Sequence, residues 1–210
     1  MSDQTIVISA SPHIHSDRTS KKLMYDVLIA LIPAFLMSIY LFGISALVLT
    51  SVAVSTCLLF EYLIQKYLLK TEVTTADGSA LLTGILLAFN LPATLPIWMV
   101  VVGSLVAIGV AKLSFGGLGN NIFNPALVGR VFLLVSFPVQ MTTWPIPVEN
   151  NMTLADATSG ATTLGIIKEE LMYGGTMSAI SSKIPSTADL LLGISGGSIG
   201  EMSALALLLG

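Results

Sequence analysis

Charged side chains are scarce in this chain, at 10% of 210 residues, against 54% hydrophobic residues and a mean hydropathy of +0.87. Too little polar surface remains to cover a water-soluble globule of this length, so lipid is the expected solvent and a soluble oxidoreductase is excluded. Basic residues are equally sparse. The nine Lys and Arg are scattered and the formal net charge is −3. No face of the chain can match a phosphate backbone, and nucleic acid is excluded as a partner. The single cysteine, Cys57, sits in an apolar run. It rules out an internal disulfide or a cysteine-ligated cluster built by this chain alone, and reads as a buried thiol. No dinucleotide-binding glycine pattern follows a strand. No cleavable signal peptide is evident either: residues 1–22 are polar and the first apolar run begins at Leu23, so that run is expected to stay as a membrane anchor.

What the chain does have is long apolar runs. A bilayer core takes about 20 apolar residues per helix, because every backbone polar group must be satisfied within the segment. Five stretches approach that length: Leu23–Phe42, Ile44–Leu63, Ser79–Leu91, Pro96–Ala111 and Ala126–Val139. The third and fifth are short and bounded by Gly or Pro, which suits broken or half-spanning helices that line a protein interior. The expected fold is all-α: a polytopic membrane helix bundle with short broken helices and one long extracytoplasmic loop. With the N-terminus in the cytoplasm, Arg18, Lys21, Lys22, Lys66, Lys70, Lys112 and Arg130 fall at cytoplasmic ends, and only Lys168 and Lys183 fall outside. That seven-to-two bias is the one the positive-inside rule requires.

The expected organisation is a cytoplasmic segment over 1–22, a membrane domain of about five helices over 23–139, an extracytoplasmic loop over 140–189, and the start of a further membrane segment over 190–210. The last apolar run stops too early to cross, so the sequence is expected to be truncated there. The loop is polar and rich in Thr, Ser and Gly, and it is longer than a connection needs to be. Loops of that length are usually functional.

Within it lies Asp156-Ala157-Thr158-Ser159-Gly160-Ala161-Thr162, reading DATSGAT. Small residues around an exposed hydroxyl let the backbone enter a modifying enzyme's cleft, and a threonine oxygen can take up a phosphoryl group. Composition alone equally allows a Ser/Thr turn with Asp156 capping a short helix. The stretch resembles the flavin-transferase acceptor motif, in which the final threonine is joined to FMN through a phosphoester. Asp156, Ser159, Gly160 and Ala161 then form the motif and Thr162 is the acceptor; Thr158 and Thr163 are hydroxyls off it. The charge bias places this loop outside the cytoplasm, where such a transferase acts in many bacteria.

Further stretches in the same order are SPHIHS from Ser11, DGSALLTGILLAFNLP from Asp77, FGGLGNNIFNPALVGR from Phe115 and GGSIGEMSALALLLG from Gly196. Together they resemble the NqrB/RnfD family of flavin-bearing membrane subunits. The short segment before the first span favours the Rnf side, since NqrB proteins begin with a longer extension. One departure is Thr163, where a proline commonly follows the acceptor threonine. The resemblance implies a subunit that is not catalytic alone, works with other membrane and redox subunits and with a flavin transferase, and relays electrons through FMN on Thr162. It implies coupling of ferredoxin:NAD oxidoreduction to Na+ or H+ transport in the cytoplasmic (inner) membrane of a bacterium or archaeon. An NqrB-like subunit of a sodium-pumping NADH:quinone oxidoreductase is the near alternative. A flavin-free transporter subunit is the distant one, with broken helices binding an ion or solute.

The stretch from Phe115 carries a second feature. Gly116, Gly117 and Gly119 forbid a regular helix and allow close backbone approach, and Asn120, Asn121 and Asn124 offer uncharged donors and acceptors suited to a neutral ring system. Asn124 before Pro125 also reads simply as a helix N-cap. By the same resemblance, Asn121 and Asn124 would contact a second, non-covalent riboflavin. Asp26, Glu61 and Asp77 are the acidic candidates near spans for a cation path, and each reads first as a cap or interfacial group. His13 and His15 are too few for a metal site, and none is expected. The Asn151-Met152-Thr153 sequon is a matter of spelling.

Overall fold

The computed structural model describes residues 19–71, 73–146, 159–160, 163–173, 184–193, 196–201 and 203–210. The chain enters through α1 (Ser20–Ala30) and α2 (Ile32–Phe42), two halves of one rod. Pro33, with no N–H to donate, loosens the rod at Leu31 without ending it, since Phe35 N still reaches Leu31 O at 3.0 Å. Gly43 then turns the chain with φ 62° and ψ −140°, a conformation closed to side chains with a Cβ. Next comes α3 (Ile44–Leu63), which runs on as a π-helix over Ile64–Leu69.

After a loop and a 3-10 turn over Thr75–Asp77 come α4 (Ser79–Phe89) and α5 (Ile97–Leu105). The latter continues as a π-helix over Val106–Lys112 and a 3-10 turn over Leu113–Phe115. Beyond the glycine-rich loop stand α6 (Pro125–Ser136) and α7 (Pro138–Met141). There follow β1 (Trp144–Pro145), β2 (Ser159–Gly160), α8 (Thr163–Met172), α9 (Thr187–Leu192) and α10 (Ala204–Leu209). The fold is an all-α bundle. Among the described residues three helical rods are long and apolar enough to cross a membrane, Ser20–Phe42, Ile44–Leu69 and Ile97–Phe115, while α4 and α6 are apolar but shorter. This is a membrane protein, and its surface agrees: Tyr40 is 81% and Val135 76% exposed, with many large aliphatic neighbours equally bare.

The short helix α4 is the innermost. It buries Ser79, Ala80, Thr83, Gly84, Leu87, Ala88 and Phe89 among α3, α5 and α6. A helix too short to cross is tolerated there because its ends lie in protein rather than in hydrocarbon. Small residues make the close approach possible, as is usual between helices in lipid. A Cβ on Gly84 would lie 2.7 Å from Val54 Cα, and one on Gly129 of α6 would lie 2.9 Å from Gly103 O of α5. Gly84→Ala should therefore force α3 and α4 apart and lower stability by about 1–3 kcal/mol. Thermal unfolding of the detergent-solubilised chain checks this, and an unchanged midpoint would mean that the crossing is looser than its geometry.

Buried hydroxyls are satisfied along the helices themselves, with Thr50 Oγ1 donating to Ala46 O (2.7 Å) and Thr83 Oγ1 to Ser79 O (2.8 Å). The chain's last part returns to the centre. Gly200 N donates to Phe89 O (2.9 Å) and Ile199 N to Leu91 O (3.2 Å), closing over the end of α4, and α10 packs on α2.

Candidate functional site

Two polar features interrupt the apolar bundle, and they share one residue. On α3 the buried residues Ala53, Cys57 and Glu61 are followed by buried Gln65, a stripe at intervals of four. On the rod opposite, Ser104, Ile108 and Lys112 repeat that spacing. A period of four drifts by about 40° per step around an α-helix of 3.6 residues per turn, so two steps would swing Lys112 off the contact. The wider π turn over Val106–Lys112, and its counterpart after Glu61, counter that drift. The stripes stay face to face.

Their meeting point is an ion pair. Lys112 Nζ donates to Glu61 Oε1 and to Ser79 Oγ, each at 2.5 Å, with Lys112 2% and Glu61 0% exposed. Ser79 Oγ donates onward to Asp77 Oδ1 (2.6 Å), which also accepts Ser79 N (2.8 Å) and so caps the first turn of α4. Gln65 holds the preceding loop with two bonds to Thr74, Nε2 to Oγ1 (2.7 Å) and Oε1 from Thr74 N (2.9 Å). One chain of bonds therefore joins α3, the loop before α4, α4 itself and the end of the α5 rod.

Two sequence expectations are corrected here. Glu61 is neither a cap nor interfacial, and Lys112 is not a basic flank of a span. Each is buried because the other compensates it, and a partner 51 residues away is invisible to any local hydropathy window. Arg130, also expected at a helix end, is half-buried and donates to Asn90 Oδ1 (2.9 Å) while Asn90 Nδ2 holds Leu86 O (2.8 Å). The guanidinium thus sits at the C-terminal end of α4, where unpaired carbonyls favour a cation. Asp77 is the cap the sequence suggested, and Asp26 is exposed.

The second feature is the glycine-rich loop that Lys112 begins. Gly116, Gly117 and Gly119 hold φ of 98°, 89° and 91°, left-handed values that admit glycine readily. Gly117 N donates to Lys112 O at 3.1 Å. The Asn121 amide, oriented by the acceptors around it, donates to Gly117 O (2.6 Å) and Lys112 O (3.1 Å). Asn124 Oδ1 accepts Ala126 N (3.0 Å), so Asn124 is the N-cap of α6. Those bonds use both donors of Asn121 and one lone pair of Asn124. What remains is an acceptor on Asn121, which is half-buried, and a donor on Asn124, which is exposed. An acceptor and a donor are the two kinds of group that an imide edge, with its N–H and C=O, would require, so the chemistry of these two amides is compatible with a neutral flavin ring.

The acceptor motif is only partly described. Ser159 and Gly160 form β2, antiparallel to β1 with Trp144 opposite Gly160 and Pro145 opposite Ser159, so the motif's middle is tied to the end of the membrane helices. Asp156, Ala161 and Thr162 lie outside the described residues, as do Thr158, His13, His15, Asn151 and Lys183. Thr163 is the first residue of α8. Proline, which the resemblance leads one to expect at 163, is favoured at the first position of a helix, and α8 starts there with threonine in its place.

A family model described as "NQR2, RnfD, RnfE family" matches residues 7–210. The chain is 44% identical over 213 residues to the D subunit of the Na(+)-translocating ferredoxin:NAD(+) oxidoreductase complex of Acetobacterium woodii, across 100% of this chain and 62% of that protein. It is 42% identical over 203 residues to the D subunit of the proton-translocating ferredoxin:NAD(+) oxidoreductase complex of Clostridium ljungdahlii, across 97% and 60% respectively. To the D subunit of the ion-translocating oxidoreductase complex of Rhodobacter capsulatus it is 41% identical over 220 residues, across 96% and 61%. The chain spans about six-tenths of the length of the curated relatives it matches.

Proposed function

The chain belongs to the NQR2, RnfD, RnfE family, and on that premise we propose that it is the flavin-bearing membrane subunit of an ion-translocating ferredoxin:NAD oxidoreductase complex, carrying FMN on Thr162. The observation that carries this reading is the acceptor motif Asp156–Thr162 in a chain 44% and 42% identical to two proteins named as the D subunits of such complexes. Bound FMN supplies exchange of one or two electrons, and the protein supplies its place and surroundings. Thr162 immediately precedes α8 in the sequence, and the positive dipole end of a helix favours a phosphate ester. The motif's small side chains leave room for the transferase that forms the ester.

The loop is assigned to the extracytoplasmic side and the N-terminus to the cytoplasm. With Lys112 and Arg130 packed against other helices rather than flanking spans, the basic count becomes 7 − 2 = 5 inside against two outside, Lys168 and Lys183. The bias survives the correction. The partners are the complex's other redox and membrane subunits, the flavin transferase and lipid. Coupling to Na+ or H+ transport requires an element with two arrangements whose balance follows the redox state. The broken helices α4 and α6 and the two π-helical stretches are the parts of this chain suited to that.

Asn121 and Asn124 are assigned to a non-covalent riboflavin, through the acceptor and donor that their local bonds leave over. Asn124→Asp separates the two roles of that residue: the carboxylate still caps α6, but the amide donor is gone. Riboflavin released on denaturing the purified complex should fall by about tenfold, the scale of one lost hydrogen bond, with thermal stability little changed. Undiminished riboflavin would remove Asn124 from the site.

The wild-type chain, expressed with a flavin transferase and denatured, should show ultraviolet fluorescence in a gel and a mass gain of one FMN less water on the peptide containing Thr162. An unmodified peptide under those conditions would overturn the reading in favour of a flavin-free transporter subunit. Quinone reduction by the assembled complex, in place of ferredoxin-dependent NAD reduction, would assign it to the NADH:quinone side of the family.

A further inference from the structure

We propose that the buried Glu61–Lys112 pair is a positioning device for the flavin-contacting amide of Asn121; the inference rests on the riboflavin reading of that loop. The glycine-rich loop is attached to the bundle at one end through α6 and at the other through Lys112. At the Lys112 end two of its bonds meet on one backbone atom: Lys112 O accepts both Gly117 N and the Asn121 amide, each at 3.1 Å. The Asn121 amide also donates to Gly117 O at 2.6 Å, and Gly117 is itself bonded to Lys112 O, so both acceptors that hold Asn121 are referred to that carbonyl.

The carbonyl is not fixed by regular helix geometry. It ends a π-helical stretch and begins a 3-10 turn, and its residue has φ −99° and ψ −60°. Three glycines with positive φ follow it within the next seven residues, so the loop has little stiffness of its own. Buried Leu113 holds the far side of that peptide, and the charged end of Lys112 holds the near side. Nζ is held by Glu61 Oε1 from α3 and by Ser79 Oγ from α4, two separate helices, in a site closed to water. Leaving the pocket would strip the buried Glu61 of its cation. The side chain therefore acts as a tether whose far end sets the backbone, and through it the free oxygen of Asn121. Hydrophobic packing alone would hold the rod but would not select one rotation of its last residue.

The experiment uses the full-length chain in its assembled complex and reads two quantities from each sample: riboflavin released on denaturation, and FMN retained on the Thr162 peptide. The paired replacement Glu61→Leu with Lys112→Met removes both charges at once and keeps the volume, so the bundle is expected to assemble and to retain covalent FMN. Riboflavin occupancy should fall by about tenfold, the scale at which residues in a coupled network shift a distant site. Lys112→Arg, which keeps the tether, should restore it. Asn121→Leu serves as the reference and should lose riboflavin outright.

Full riboflavin in the paired variant beside its loss in Asn121→Leu would overturn the positioning role while leaving the site intact. Full riboflavin in Asn121→Leu would instead overturn the site reading itself. Should the paired variant fail to assemble, Ser79→Ala decides the matter, because it removes one neutral anchor of Lys112 and leaves the ion pair. Weakened riboflavin affinity supports the tether, and unchanged affinity overturns it.

Discussion

Thr162→Val is expected to abolish covalent flavin while the chain still inserts and assembles, and with it the ferredoxin-dependent NAD reduction of the complex. Valine has nearly the shape of threonine and lacks only the oxygen that must bond to phosphorus. A chain that still inserts and assembles but carries no flavin would trace the loss to that oxygen. Thr158→Val and Thr163→Val provide the contrast. Both remove a hydroxyl a few residues away, yet neither occupies the motif's final position. Thr163 in addition lies in the first turn of α8. Peptide mass and gel fluorescence should show full FMN in these two variants and none in Thr162→Val. Covalent flavin retained in Thr162→Val would sink the assignment. Its loss in Thr163→Val would mean that the transferase reads the start of α8 as well as the motif.

How much of this was legible in the sequence depended on whether the signal was local. Apolar runs from Leu23, Ile44, Ser79, Pro96 and Ala126 each overlap a helix, within a few residues at the ends, because lipid demands an unbroken apolar segment with all its hydrogen bonds inside. The caps at Asp77 and Asn124 were equally readable, since a cap bonds within two or three residues of itself. The π-helical stretches were not. They accompany the meeting of two buried stripes on different rods, one through Cys57, Glu61 and Gln65 and the other through Ser104 and Lys112, and neither stripe declares its partner. The four-residue spacing from Cys57 to Glu61 to Gln65, with polar residues placed on the face that packs, was the available signal. It was masked by the habit of placing charge at helix ends, which is right for most spans. Arg130 misled in the same way, as its acceptor Asn90 is 40 residues distant. The glycine-rich loop was readable as a break and as a set of amides. Which amide atoms stay free for a ligand is decided by the carbonyl of Lys112, and that required the structure.

The same pair yields the largest stability effect in the molecule. Lys112→Met should destabilise the chain by about 3–5 kcal/mol, since it leaves the carboxylate of Glu61 buried and without its cation. Nothing nearby can take over. Glu61 Oε2 already has no partner among the described residues, so removing Lys112 Nζ would strip the other oxygen as well, in a side chain with 0% exposure. A membrane setting increases the cost, because the route by which a surface glutamate would return to water is filled by helix and lipid. Glu61→Leu alone should also destabilise, by leaving the ammonium with Ser79 Oγ as its one described acceptor. The two changes together should cost far less than either, because a buried pair replaced by apolar groups of like volume gives up its attraction and its desolvation penalty at the same time. Thermal unfolding of the four chains, wild type, each single variant and the double, closes the cycle and isolates the coupling. A double variant as unstable as the sum of the singles would show that the pair is not an isolated electrostatic unit. The network through Ser79 and Asp77 would then be the structural unit that holds α3, α4 and the α5 rod together.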